Sequence, residues 1–214
     1  MLFKTKEPMN EMKGTTTELP IVEEFYSIQG EGIQTGRAAY FIRIGGCDVG
    51  CSWCDTKESW NFQLWPQRKV EEVVARVLES GADSVVATGG EPLSWDLDFL
   101  CAKLKEHGIL TFIETSGSQP LSGKWDWICV SPKKNAPPLK ELLEAADELK
   151  VIIHDRSDFM WAEENAEKVK PGCHLLLQPE WSRHQEITSE VVEYVKRNPK
   201  WRLSLQTHKY IRIP

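Results

Sequence analysis

Two hydrophobic rhythms alternate along the chain. Short apolar runs at residues 38–44, 84–88, 109–113, 127–130, 149–153, 174–177 and 202–205 have the length of strands. Between them the spacing stretches to a helical period. Val70, Val73, Val74, Val77 and Leu78 form one stripe over residues 70–80, closed by Gly81. Further helices are predicted over 97–107, 139–146, 158–169 and 190–197. The stretch 21–28 alternates poorly and leads into Gln29-Gly30-Glu31-Gly32. Strands alternating with helices imply parallel βα units joined by right-handed crossovers. Roughly six such units are too few to close an eight-fold barrel. The expectation is therefore an α/β fold, an open partial (βα)6-type barrel. Residues 1–20 are polar and read as a flexible leader, and 21–214 as a single domain.

The unusual motifs fall where strands end. Cys47-Asp48-Val49-Gly50-Cys51-Ser52-Trp53-Cys54 follows the run 38–44, and Thr88-Gly89-Gly90-Glu91-Pro92 follows the next. Glu114-Thr115-Ser116-Gly117, Ser131-Pro132-Lys133 and Gln178-Pro179 end later strands. Ligands of such folds bind at the carboxyl ends of the strands. Turn chemistry accounts for one such loop but not for a whole rim of them, so this rim is the predicted site.

Three of the six cysteines fall in the first motif, spaced C-x3-C-x2-C. Thiolates that close, on a glycine-containing loop, can converge on a soft metal centre. Structural zinc takes four ligands, commonly as two separated pairs, and no second pair exists here. An iron–sulfur cluster held by three cysteines keeps one iron open to a small molecule. Composition narrows the class further. A net charge of −6 with a pI near 5.5 argues against a nucleic-acid surface as the main function. No apolar stretch approaches the roughly 20 residues of a membrane span, and the first residues lack a signal-peptide core. The expectation is a cytoplasmic protein in a reducing compartment, with neither nucleic acid nor membrane as partner.

C-x3-C-x2-C after a strand, with Trp53 just before the last cysteine, resembles the radical S-adenosylmethionine (SAM) superfamily. Gly89-Gly90-Glu91 one unit later is similar to that superfamily's GGE motif. A narrower resemblance, to the 7-carboxy-7-deazaguanine synthase family, is carried by Phe25-Tyr26-Ser27-Ile28-Gln29-Gly30-Glu31-Gly32, Phe41-Ile42-Arg43-Ile44, Trp53-Cys54-Asp55-Thr56, Thr88 to Pro92, Ser131-Pro132-Lys133, Gln178-Pro179 and residues 208–214. It implies a radical SAM barrel with a 4Fe-4S cluster on Cys47, Cys51 and Cys54. It implies SAM contacts from Trp53, Cys54, Asp55, Gly90, Glu91, Ser131, Pro132, Lys133, Gln178, Pro179, Glu180 and Trp181. It implies substrate contacts from Ile28, Gln29, Gly30, Glu31, Arg43, Thr88, His208 and Pro214, and a Mg2+ on Thr56. The substrate so implied is 6-carboxy-5,6,7,8-tetrahydropterin. A 5′-deoxyadenosyl radical takes hydrogen from C6, the ring contracts and ammonia is lost, on the route to queuosine and other 7-deazapurines. A flavodoxin- or ferredoxin-type electron donor and a homodimer are implied as well. No side chain is assigned acid or base chemistry of its own.

Several residues have a second reading. Gln29 to Gly32 is either a hairpin turn or a loop whose backbone comes close to a ligand. Arg43, mid-strand among apolar residues, pairs with Glu23, Glu24 or Glu31, or holds a substrate carboxylate. Thr56 is a turn or N-cap residue or a magnesium ligand, with Asp55 the alternative ligand. Residues 207–214 alternate like a closing edge strand; in the family reading the terminal carboxylate of Pro214 accepts from an aminopyrimidinone edge. Cys101, Cys129 and Cys173 read as small buried hydrophobes. Two rival functions remain: a glycyl-radical-enzyme activating protein, and a non-catalytic iron–sulfur or zinc module. Neither needs Gln-Gly-Glu-Gly.

Overall fold

The computed structural model describes residues 16–214. Residues 1–15, most of the expected leader, lie outside the described residues, and β1 (Glu18–Ile28) begins within the leader's expected span. β1 pairs antiparallel with β2 (Ala38–Ile44), and a register shift between Ile21 and Glu23 explains its poor alternation. The other edge of β1 carries β3 (Gln67–Lys69), a short, exposed and wholly polar strand.

From β2 onward every neighbouring pair is parallel, through β4 (Ser84–Gly89), β5 (Leu110–Thr115), β6 (Trp127–Val130), β7 (Glu148–Ile153), β8 (His174–Pro179) and β9 (Trp201–Leu203). The nine-stranded sheet runs β3-β1-β2-β4-β5-β6-β7-β8-β9, and its two edges, β3 and β9, do not meet. The open partial barrel of the radical SAM kind is thus the observed fold.

Five helices cover one face: α1 (Val70–Ser80), α2 (Asp98–Glu106), α3 (Lys140–Ala145), α4 (Ser157–Ala166) and α5 (His184–Arg197). The stripe read in α1 is its buried face, and Gly81 ends it in the left-handed region at φ 73°. Val73, Leu100, Leu142, Ala162 and Val191 pack there against Ile42, Val85, Ile113, Leu149 and Leu177 in one continuous core. Burying side chains of this size contributes about 1.5–3 kcal/mol each, so the helical layer anchors the sheet.

Alternation turns the intervening residues to the other face. Ala39, Val86 and Phe112, with Phe41 and Trp127, make a small apolar floor. Further along β2, β4 and β5 come Arg43, Thr88 and Glu114, and β7 and β8 add Lys150 and Gln178; all five line a cavity toward the carboxyl ends. The hydrophobic floor fixes the register, and the register places the polar rung.

Residues 207–211 do not form the expected edge strand. They form a short helix, α6 (Thr207–Ile211), after which Arg212 turns into the left-handed region at φ 59°. The reason is polar: Thr207 donates its N–H and its hydroxyl to Gly30 O, each at 2.8 Å, and folds the segment over the cavity. Among the described residues no helix is long and apolar enough to cross a membrane.

Candidate active site

The cysteine motif leaves β2 on Gly45 and Gly46. Gly45 N donates to Pro20 O at 2.8 Å, Gly46 N to Ser59 O at 2.7 Å, and Trp95 Nε1 to Gly45 O at 2.8 Å. Across the rim, Gln119 Nε2 donates to Asp48 Oδ2 at 3.2 Å, and Asn135 Nδ2 to Val49 O. The loop is therefore braced from both sides of the barrel mouth. Cys47, Cys51 and Cys54 are free, half-buried and on one cavity wall. Burial pushes the Cys47 thiol up to about 11; it raises Cys51 too, against the opposing pull of Lys133.

The glycines of the second motif serve that loop. A Cβ on Gly89 would strike Ile44 O, and one on Gly90 would strike Gly46 O and stand 2.8 Å from Cys47 Cβ. Gly90 N and Glu91 N in turn donate to Ile44 O and Gly46 O at 3.0 and 2.8 Å. Gly-Gly is thus needed for backbone to meet backbone. Glu91 departs from expectation. Its carboxylate is 1% exposed and lies behind the wall, accepting from Leu93 N (3.0 Å), Thr115 Oγ1 (2.6 Å), Ser116 N (2.8 Å) and Ser116 Oγ. Its lone pairs are taken by protein, so the side chain braces the rim from behind the cavity wall. Pro132 likewise lies off the wall, and its carbonyl accepts from Trp161 Nε1 at 3.4 Å.

The remaining expected residues meet around one cavity of about 340 Å³. Trp53, Cys54, Asp55, Gly90, Ser131, Lys133, Gln178, Pro179, Glu180 and Trp181 line it, as do Ile28, Gln29, Gly30, Glu31, Arg43, Thr88, His208, Pro214 and Thr56. Lys133 Nζ donates to Ser131 O and Oγ at 2.5 and 2.7 Å and stands 5.7 Å above the Trp53 ring. The Glu180 carboxylate caps the turn that follows, accepting from Ser182 N at 2.9 Å and Ser182 Oγ at 2.5 Å. Trp181 stacks on His184 at 4.4 Å, with Tyr210 of α6 edge-on at 5.3 Å.

Arg43 Nε bonds Glu23 Oε1 at 2.6 Å, whereas Glu24 pairs with Arg76 and Glu31 with Lys150. The turn 29–32 is also a close approach: a Cβ on Gly30 would collide with His208. Thr56 occupies an N-cap position, yet its side chain makes no capping bond; its hydroxyl lies 3.7 Å from Cys54 Sγ. The Asp55 carboxylate is taken by Lys209 Nζ at 2.7 Å. Cys101 and Cys129 are buried, as read, while Cys173 is half-buried.

Beneath the rim lies a charged network that sequence reasoning missed. Lys150 Nζ is 2.5 Å from Glu31 Oε2 and 3.2 Å from Glu114 Oε2. Gln29 Nε2 donates to Glu114 Oε1 at 2.8 Å, and Gln206 Nε2 to Glu31 Oε1 at 2.8 Å. Gln178 bridges Glu31 (3.0 Å) and Ser204 (2.7 Å). The one available signal was Lys150 itself, a lysine inside an apolar strand. Burial works against the Glu31 charge, but the Lys150 ammonium and three hydrogen bonds overcome it and hold its carboxyl down to about 2. Partial burial lowers the His208 imidazole, which stands above Gly30. Trp60, Gln206 and Ile152 are among the further residues that line the cavity.

The donor set suits a cluster. Among the described residues no three His, Cys, Asp or Glu side chains converge closely enough for one ion. Three thiols spread around a cavity wall are what a larger inorganic centre needs, with one corner facing the cavity.

Comparison with known proteins agrees. The radical SAM superfamily profile matches residues 41–130. A 7-carboxy-7-deazaguanine synthase from Flavobacterium psychrophilum is 57% identical over 196 residues, covering 92% of this chain and 93% of the relative. The synthases of Synechocystis sp. and Escherichia coli are 46% and 36% identical, covering 96% and 92% of this chain and 98% and 99% of their own. The crystal structure of QueE from Escherichia coli superposes with a TM-score of 0.80 at 34% identity, over 89% of this chain and 95% of that one. With fold, motifs and near-complete coverage in accord, the chain belongs to the 7-carboxy-7-deazaguanine synthase family of radical SAM enzymes.

Proposed function

We propose that the cavity converts 6-carboxy-5,6,7,8-tetrahydropterin to 7-carboxy-7-deazaguanine with loss of ammonia, a step of queuosine and 7-deazapurine biosynthesis. The observation that carries this reading is the sharing of one cavity by three cysteine thiols and the polar groups Gln29, Arg43, Thr88 and His208. When bound, the cluster and SAM supply the reducing electron and the hydrogen-atom abstraction that begin the rearrangement. The residues' own work is to bind, orient and exclude water.

Cys47, Cys51 and Cys54 hold the cluster. Trp53, the Gly90 backbone, Ser131, Lys133 and Pro179 to Trp181 form the SAM side, where Ser131 holds the Lys133 Nζ in place. Arg43 grips the substrate's carboxylate: Glu23 occupies only Nε among the described residues, which leaves the Nη donors for a paired bond. Ile28, Gln29, Gly30 and Thr88 face the pterin, with His208 and Pro214 closing over it. Ser27 Oγ donates to Pro214 O at 3.2 Å and holds that closing segment near β1. Thr56, its hydroxyl unused as a cap, lends one oxygen to a Mg2+ whose shell substrate and water complete.

The family resemblance supports a flavodoxin- or ferredoxin-type donor and a homodimer. Free cysteines and an oxidisable cluster suit the reducing cytoplasm, and one continuous sheet that already includes Glu18 to Pro20 supports a single domain beginning slightly before residue 21. Anaerobically reconstituted protein should carry the iron and sulfide of one 4Fe-4S cluster. It should form 5′-deoxyadenosine far faster with the pterin than without it. Stoichiometric zinc without sulfide, or 5′-deoxyadenosine release indifferent to the pterin, would contradict the proposal.

A further inference from the structure

Lys150 stands in β7 with its side chain 3% exposed, between the buried Leu149 and Val151. Its two carboxylate partners come from different elements: Glu31 from the turn after β1, Glu114 from β5. The fold alone does not require such a charge. Replacing a buried ionic group with apolar residues is often neutral or stabilising. The hydrogen bonds beyond the lysine suggest what it is for. Glu114 holds Gln29, whose side-chain carbonyl accepts from Glu31 N at 3.1 Å. Glu31 holds Gln206, the residue immediately before α6, and Gln178. One ammonium thus secures, through two carboxylates, both segments that close on the cavity.

We infer that Lys150 is a positioning residue for the substrate: by balancing Glu31 and Glu114 inside the barrel, it holds the turn 29–32 and the α6 segment about the pterin. It therefore sets substrate affinity more than the rate of the chemical step. This deepens the reaction proposed above and rests on it. The other ionisable groups facing these charges are Glu148 on β7, Cys129 on β6, Lys133 after β6 and His208 on α6. Burial lowers Lys150, but Glu114 and Glu31 outweigh it and raise the ammonium well above its ordinary value. With Glu31 held down to about 2 and Lys150 raised, that ion pair persists through any ordinary assay.

The test is Lys150→Met beside Lys150→Met/Glu114→Gln, with cluster content and SAM affinity as controls. Leaving a buried charged partner unpaired weakens binding by a factor of about 30 or more, and Lys150→Met should raise KM for the pterin by at least that much while kcat moves far less. Two carboxylates left together share a proton. KM of the single variant should therefore be lowest at acid pH and climb as that proton is lost, a rise the wild-type profile lacks. The double variant restores the net charge of the triad, one negative, and should recover most of the loss with a profile like that of wild type. Melting midpoints, read without turnover, should follow the same order and the same pH trend. An unchanged KM, or a rise equal at every pH and not relieved by Glu114→Gln, overturns the inference. Should Lys150→Met not fold, a folded double variant with near-wild-type KM supports it, and a double variant that also fails to fold overturns it. Wild-type enzyme inactive on this pterin instead overturns the proposed reaction and the substrate side of the inference with it, while the melting series still judges the charge balance.

Discussion

Gly30→Ala is a small change with a large expected effect on binding. The added Cβ would lie 2.7 Å from His208 N and 2.7 Å from His208 Cβ, closer than carbon and nitrogen tolerate, and nearer still to Nδ1. The backbone of α6 cannot rotate away like a side-chain tip, so the helix itself must move. Overpacking of this kind costs about 1–3 kcal/mol, and the two Thr207 bonds to Gly30 O are strained with it. None of the residues of α6 is buried, so the strain is relieved locally, by lifting the segment from the cavity. Converted to binding, about 1–3 kcal/mol is about a 5- to 150-fold rise in KM. Steady-state kinetics with the pterin measure it, beside a thermal melt and cluster content, both expected to stay near wild type. A KM within twofold of wild type would refute the idea that α6 closes the substrate site. A collapse of the melting midpoint with an unchanged KM would refute it as well.

Other outcomes follow from the same geometry. Arg43→Met removes the proposed carboxylate grip and should raise KM for the pterin by a factor equivalent to about 2–5 kcal/mol, with the cluster intact; unchanged kinetics would assign Arg43 to Glu23 alone. Thr56→Ala should abolish most of the stimulation of product formation by Mg2+ and leave the cluster's spectrum unchanged, and wild-type activity indifferent to Mg2+ would remove the site. Glu31 has its carboxyl lowered from 4.5 to about 2, so its contribution to stability is complete above 4.5 and lost as pH falls through that window. Melting midpoints of wild type should therefore fall more steeply than those of Glu31→Gln between these values, and parallel curves would contradict the assignment.

How much of this was legible in the chain depended on whether chemistry or context decided each element. Strands 38–44 and 127–130 and the helix 70–80 appear with the bounds read from their apolar patterns, because burial alone dictates them. β3 was invisible, since Gln67-Arg68-Lys69 has no buried face and pairs only because Glu18 to Pro20 passes alongside. The helix expected from 190 starts at His184; its first turn, His184-Gln185-Glu186, is polar and buries only Ile187. Segment 207–214 alternates like a strand and folds as a helix, because its fate is set by Gly30 O and Glu31, residues about 175 positions away. The site was legible where motifs mark it and not where distant charges meet. Nothing local to Glu31, Glu114 or Lys150 announces that they converge, and the GGE carboxylate, expected at the ligand, is enclosed by Thr115 and Ser116.

The central claim is that this cavity brings the 5′ carbon of SAM within reach of C6 of the pterin. Turnover with substrate deuterated at C6 tests it directly, by mass spectrometry of the 5′-deoxyadenosine released. Deuterium should appear in that product and accompany the formation of 7-carboxy-7-deazaguanine. 5′-Deoxyadenosine free of label, formed while the deazaguanine accumulates, would contradict it.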